Sequence, residues 1–398
     1  MRVWLQLCIV LLGFVSEMAA AEIKLIHSHA KTGYPPLFED FTKQTGIKIH
    51  HEFRTQDRLK SEILLMVESG DLPDAIILPA DHLGLHTYLN YSAIDRAAFS
   101  LKLQQRLWET TQSDGKYYGV PLSQGNHLML YYNKALVTTP AATWEILKEQ
   151  AKILKQQSIW PITWSHQEPY WFLPFLTAFG GWLFEGNQIT LNTEAMANTL
   201  DFYRRIRNLA GDLTTCSYEC GLEHFKSGSV AYIINGDWAF NELYEAMGEN
   251  LGVSAIPSIG DKVPAATFTT QAIAFPNNGL AGHKKHSLIK LTNYLQSPKA
   301  QLLLWETHNA IPIHDSLLNS IKRTTPLPQK SIIDLMQTTR ALPSEQNMSF
   351  VWDALTKGML RHHEGALTSQ DAAQYMQLLT ERHIRNAQRH ATSTKSTP

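Results

Sequence analysis

Phe225-Lys226-Ser227-Gly228-Ser229-Val230-Ala231-Tyr232-Ile233-Ile234-Asn235-Gly236-Asp237-Trp238-Ala239-Phe240 is the stretch whose reading decides the fold. A helix ends at Gly228, a short buried strand follows, and a glycine turn at Gly236 then presents the rings of Trp238 and Phe240. Rings set just beyond the end of a strand stand where open α/β sheets build ligand sites. Gln167-Glu168-Pro169-Tyr170 and the late Trp352 extend the pattern. Together they point to an aromatic-lined groove for a polar, carbon-rich ligand such as a sugar.

Upstream, the pattern is that of an α/β domain. Ile23-Lys24-Leu25-Ile26 reads as a strand, and Pro36 starts a helix with Leu37, Phe38 and Phe41 on one face. After Thr45-Gly46, the stretch Ile47 to Phe53 alternates as a strand. A helix from Asp57 to Glu68 stops at Ser69-Gly70, and Asp74-Ala75-Ile76-Ile77-Leu78 is a continuous apolar strand suited to a sheet covered on both faces. This β-α-β-α-β order defines the class. Thr143 caps a helix beginning at Trp144, and aromatic residues are dense from Trp160 to Phe184. The polar segment 391–398 reads as a disordered tail.

With 398 residues the chain exceeds the usual single-core limit of about 250–300, so two domains are expected. It opens with Met1-Arg2, an apolar run from Val3 to Val15 interrupted by Gln6, and Ala19-Ala20-Ala21, the pattern of a secretory signal peptide over residues 1–21. The run is shorter than the roughly 20 apolar residues that span a bilayer. Cys8 sits inside the run and not at its exit, so it is no lipid-anchoring cysteine. Acids and bases number 36 and 35, and this balance, with no basic stretch, argues against nucleic acid and against a polybasic membrane surface. Export leaves Cys216 and Cys220, which read as a disulfide in an oxidising compartment. His224 continues the spacing of four, so a metal site is the competing reading, and two free thiols are the third.

The chain resembles the family 1 extracellular solute-binding proteins of ABC importers, and within them the maltose/maltodextrin-binding proteins. The likeness runs in order through Phe41 to Ile49, Tyr118-Gly119-Val120-Pro121 with Tyr131-Tyr132-Asn133-Lys134, Glu168-Pro169-Tyr170 with Phe179-Gly180-Gly181, Ile234-Asn235-Gly236-x-Trp238-Ala239, Ile311-Pro312, and Met348-Ser349-x-x-Trp352. It implies two discontinuous α/β lobes with a ligand cleft between them. One lobe would comprise residues 22–124 plus 273–325, the other 125–272 plus 326–390. It also implies a monomeric periplasmic receptor that binds a small molecule, partners a membrane permease, and needs neither cofactor nor metal.

Carried over residue by residue, the resemblance assigns Tyr170, Trp238 and Trp352 to stacking on sugar rings, Glu168 and Asp81 to hydroxyls, and Lys31 to the ligand edge. Phe240 joins them on the strength of the turn. Asp81 has a rival role as a helix N-cap, Lys31 as a surface amine, and the tryptophans as core. The pattern departs from the family at Gln124-Gly125-Asn126-His127, where a glutamate is usual, and at Leu78-Pro79, where a tryptophan is usual. Both fall at the sugar site. Three alternatives stand beside sugar import: a non-sugar solute such as a glycerol phosphate ester, polyamine or peptide; a ligand sensor for a membrane receptor; and a glycosidase using Asp81 and Glu168 as its carboxylate pair.

Overall fold

The computed structural model describes residues 22–394 apart from 187. The expected signal peptide and residues 395–398 lie outside the described residues. Strand β1 (Glu22–His27), helix α1 (Tyr34–Thr45), strand β2 (Lys48–Phe53), helix α2 (Gln56–Ser69) and strand β3 (Ala75–Pro79) open the fold. β1 lies in the middle, paired in parallel with β2 on one side and β3 on the other. Helix α1 buries Tyr34, Leu37, Phe38 and Phe41, the stripe that a 3.6-residue period places on one face. All five residues of β3 are buried, as its unbroken apolar run requires.

The strand Thr267–Ala274 extends this sheet, antiparallel to β3. Its other edge receives Val120–Gly125, and its first residues pair with Arg340–Ala341. Segments far apart in the chain therefore share one sheet, and Thr267–Ala274 runs unbroken through positions 272 and 273. A second sheet has the order Leu251–Ser254, Leu128–Asn133, Val230–Gly236, Trp160–Thr163. Val230–Gly236 is an interior strand with every residue buried. Around it the aromatic-rich segment forms a core in which Trp144 meets Trp164, Phe175 and Phe202 at 5.9–6.1 Å between ring centroids. The Thr143 hydroxyl accepts a hydrogen bond from the Ile146 amide at 3.2 Å and so caps the helix Trp144–Gln156.

The chain passes from the first sheet to the second between Gly125 and Leu128. Gly125 has φ +146° and Asn126 +57°, so two successive residues in unusual backbone regions make the crossing. Helices Met348–His363 and Ser369–Thr394 complete the second lobe, burying Val351, Leu355, Ala372 and Met376 in its core. The last helix continues to Thr394, four residues into the segment expected to be a disordered tail. No helix among the described residues is long and apolar enough to cross a membrane.

Candidate functional site

A cavity of about 670 Å³ lies between the two sheets. On one wall it is lined by His29 beyond β1, Asp81 and His82 beyond β3, Gln124 and Gln271 from the crossing strands, and His308 and Asn309 at the end of the helix Pro298–His308. The residues beyond β1 and β3 stand at the carboxyl ends of parallel strands, the edge expected for a ligand. The opposite wall carries Glu168, Tyr170, Trp171, Tyr218, Glu219, Asp237, Trp238 and Trp352.

All the rings of the tryptophans and tyrosines stand on that second wall. Tyr170 is their centre, 6.3 Å from Trp238, 6.5 Å from Trp352 and 6.1 Å from Trp171 between centroids. Its hydroxyl donates to the carbonyls of Asn126 and, at 3.4 Å, Thr267, tying the wall to the crossing strands. Trp238 is 37 % exposed, and its Nε1 donates to the Tyr218 hydroxyl at 3.0 Å. A Cβ at Gly236 would meet the Trp238 ring at 2.0 Å, so the missing side chain is what lets the indole fold back over the strand end. Trp171 is buried; its Nε1 donates to the Ile234 carbonyl at 2.8 Å and its ring meets Trp238 edge-on.

Four carboxylates line the cavity, Asp81, Glu168, Glu219 and Asp237, with three imidazoles, His29, His82 and His308, and no lysine or arginine. Burial pushes His29 down to about 4 despite the opposing pull of Asp237, and burial also lowers His308. The lining therefore carries net negative charge at neutral pH. Asp237 Oδ2 accepts the Asn126 amide at 2.9 Å and lies 3.5 Å from His127 Nδ1, which holds it at the crossing. Asp81 Oδ1 and Gln271 Oε1 are buried with no hydrogen-bond partner in the described structure, so each retains an acceptor for a ligand hydroxyl.

Asp81, Glu168, Tyr170, Trp238 and Trp352, five of the expected ligand residues, thus converge on one cavity. Asp81 does not cap its short 3-10 turn, Ala80–Leu85, which starts after Pro79 with no side-chain cap. Two expected residues lie elsewhere. Lys31 is exposed, with Nζ 5.6 Å from the centroid of Phe53, and the cavity is reached from that loop by His29 instead. Phe240 is 4 % exposed, belongs to the core, and stacks on the exposed Tyr244 ring. It starts the helix Phe240–Met247, whereas Trp238 belongs to the 3-10 turn Asp237–Ala239 before it, so the two rings leave the chain in different directions. His29, Glu219, Gln271 and His308 were not singled out by sequence; the position of His29 just past the first strand was the one available signal.

The structure joins Cys216 and Cys220 in a disulfide at the start of the helix Tyr218–Lys226, beside Tyr218 and Glu219 of the cavity wall. The His224 ring lies with both sulfurs inside a 4.8 Å cluster. Bridged sulfurs are not thiolates, so in this form the trio offers no thiolate ligand.

Two α/β lobes around a cleft of rings and acids define a solute-binding protein. Residues 36–328 match the family described as bacterial extracellular solute-binding protein, and the chain belongs to that family. Its members bind substrates and are not enzymes, which sets aside the glycosidase reading. Among solved structures, the chain is similar to the maltose/maltodextrin-binding domain MalE from Bdellovibrio bacteriovorus bound to maltotriose. The two are 26 % identical with a TM-score of 0.79, over 92 % of this chain and 100 % of that one.

Proposed function

We propose that this protein is the periplasmic receptor of an ABC importer, and that it captures a maltose- or oligosaccharide-like sugar by closure of its two lobes and delivers it to a membrane permease. The observation that carries the reading is the placing of Trp238 and Trp352 at 6.3 and 6.5 Å from the central Tyr170 ring on a wall that also bears Glu168 and Glu219. Rings stack on the apolar C–H faces of a sugar while ionised acceptors take its hydroxyls. A similar protein holds maltotriose, which supports a saccharide as ligand. Closure follows if the ligand bonds better to both walls in the shut form than in the open one, and Gly125–Asn126 is the segment best suited to bend.

The acid surplus, unrelieved by any lysine or arginine in the lining, disfavours a phosphate ester. The same surplus beside aromatic faces makes a polyamine the second reading. A thermal-shift screen separates them. Maltotriose or a related saccharide at about 100 times its Kd should add roughly 2.7 kcal/mol of stability. Stabilisation by polyamines with none from any mono-, di- or oligosaccharide would overturn the sugar reading in favour of the second.

A further inference from the structure

A second, smaller cavity of about 80 Å³ lies in the second lobe behind the cleft. Its lining includes Arg204, Arg207, His166, His362 and His363, without one aspartate or glutamate. Thr356 borders both this cavity and the cleft. Arg207 and His166 are 8 % and 5 % exposed and form its floor, while Arg204 and His363 are exposed and stand toward solvent.

The polar groups here are incompletely satisfied. The Arg207 guanidinium donates to the Thr214 carbonyl at 3.2 Å, its Nε has no partner, and no carboxylate within 4 Å pairs with it among the described residues. Both ring nitrogens of His166 are buried without a hydrogen bond. His362 Nδ1 is bonded to the Leu367 carbonyl at 3.2 Å, and its Nε2 lies 3.8 Å from Asp201, which stands outside the cavity lining. A buried charge is expensive to leave uncompensated, and buried polar atoms are normally paired. Burial is the main cause that lowers both His166 and His363; Arg207 and His363 add to it at His166, and Arg207, Arg204 and His362 add to it at His363. Two guanidinium cations and three imidazoles able to take up a proton thus face one small space.

We propose that this cavity binds one small oxyanion of the phosphate, sulfate or carboxylate type, held by Arg207 and Arg204 with His166 and His363 as further donors. Its size suits a single tetrahedral or planar anion and not a sugar ring, so the site is separate from the cleft and does not depend on what the cleft holds. A guanidinium fork matches an oxyanion in two hydrogen bonds, and the imidazoles gain protons when the anion arrives.

The test is isothermal titration of inorganic phosphate into the mature protein, with sulfate and acetate in parallel and chloride at matched ionic strength. One saturable site for at least one of these oxyanions is expected, absent with chloride. Arg207→Gln should weaken it about tenfold or more, and His363→Gln, at an exposed position that leaves folding intact, should weaken it too. In wild type, phosphate should also move the His166 imidazole titration upward by NMR. No saturable oxyanion binding up to tens of millimolar overturns the proposal. So does binding equalled by chloride, untouched by His363→Gln, or abolished by Trp238→Ala, which would place the anion in the cleft.

Discussion

The carboxylate of Asp237 occupies the space that a side chain at residue 125 would need: a Cβ on Gly125 would come within 2.3 Å of Asp237 Oδ2. The same oxygen accepts the Asn126 amide, so the acid and the crossing segment interlock. Gly125→Ala should therefore cost on the order of 1–3 kcal/mol from its backbone at φ +146° alone, with the displaced carboxylate adding to it. Urea unfolding of the ligand-free protein measures this, and an unchanged midpoint would show that the crossing is not held as described.

Trp238 and Phe240 make a paired experiment. Trp238→Ala should weaken saccharide binding at least about tenfold, since a stacked ring contributes roughly 0.5–1.5 kcal/mol beyond its burial, and should leave ligand-free stability nearly unchanged. Trp352→Ala should behave alike. Phe240→Ala removes a core ring and should cost about 3–5 kcal/mol of stability. Calorimetric titration and thermal melts of all three variants check the contrast, and equal stability losses would mark the tryptophans as core.

Acid should destabilise the protein through His29. Its folded-state value of about 4 lies below the ordinary value near 6.5, so between the two the unfolded chain binds more protons. The stabilising contribution is present above pH 6.5 and is lost as pH falls toward 4. Melting temperature measured from pH 7.5 to pH 4 should fall, and His29→Gln should flatten part of that slope.

Thiol labelling of the denatured, unreduced exported protein should find no free cysteine if Cys216 and Cys220 are bridged as in the structure and the expected leader is removed. Two labels would mean open thiols. One would mean that the leader, with Cys8, is retained.

Much of this site could be read from the chain, and the reasons for success and failure are physical. The strand Val230–Gly236 declared itself because a wholly buried strand needs an unbroken apolar run between glycines. Asp81 was found because it follows a buried strand, and Glu168 because it heads the Glu168-Pro169-Tyr170 motif just before a proline-started helix, the motif that carries the family resemblance. Gln271 escaped notice because it reaches the cavity only when Thr267–Ala274 inserts between β3 and Val120–Gly125, and His308 because it arrives from the end of the distant helix Pro298–His308, placements no local pattern encodes. Lys31 and His29 differ by two places in one turn, and the direction of that turn is set by tertiary packing, with Ala30 at φ +46°. Phe240 was misplaced for want of one detail: the chain resumes a helix at that residue, so its ring turns inward.

With the tryptophan and tyrosine rings gathered on a single face, a saccharide of the proposed kind need not wait for the jaws to meet. It can settle flat on Tyr170 and its neighbours while the protein gapes, and be locked in afterwards by Asp81 and the imidazoles arriving from across the gap. Capture and enclosure then become two kinetic events, governed by different lobes and separable by stopped-flow fluorescence of those same tryptophans.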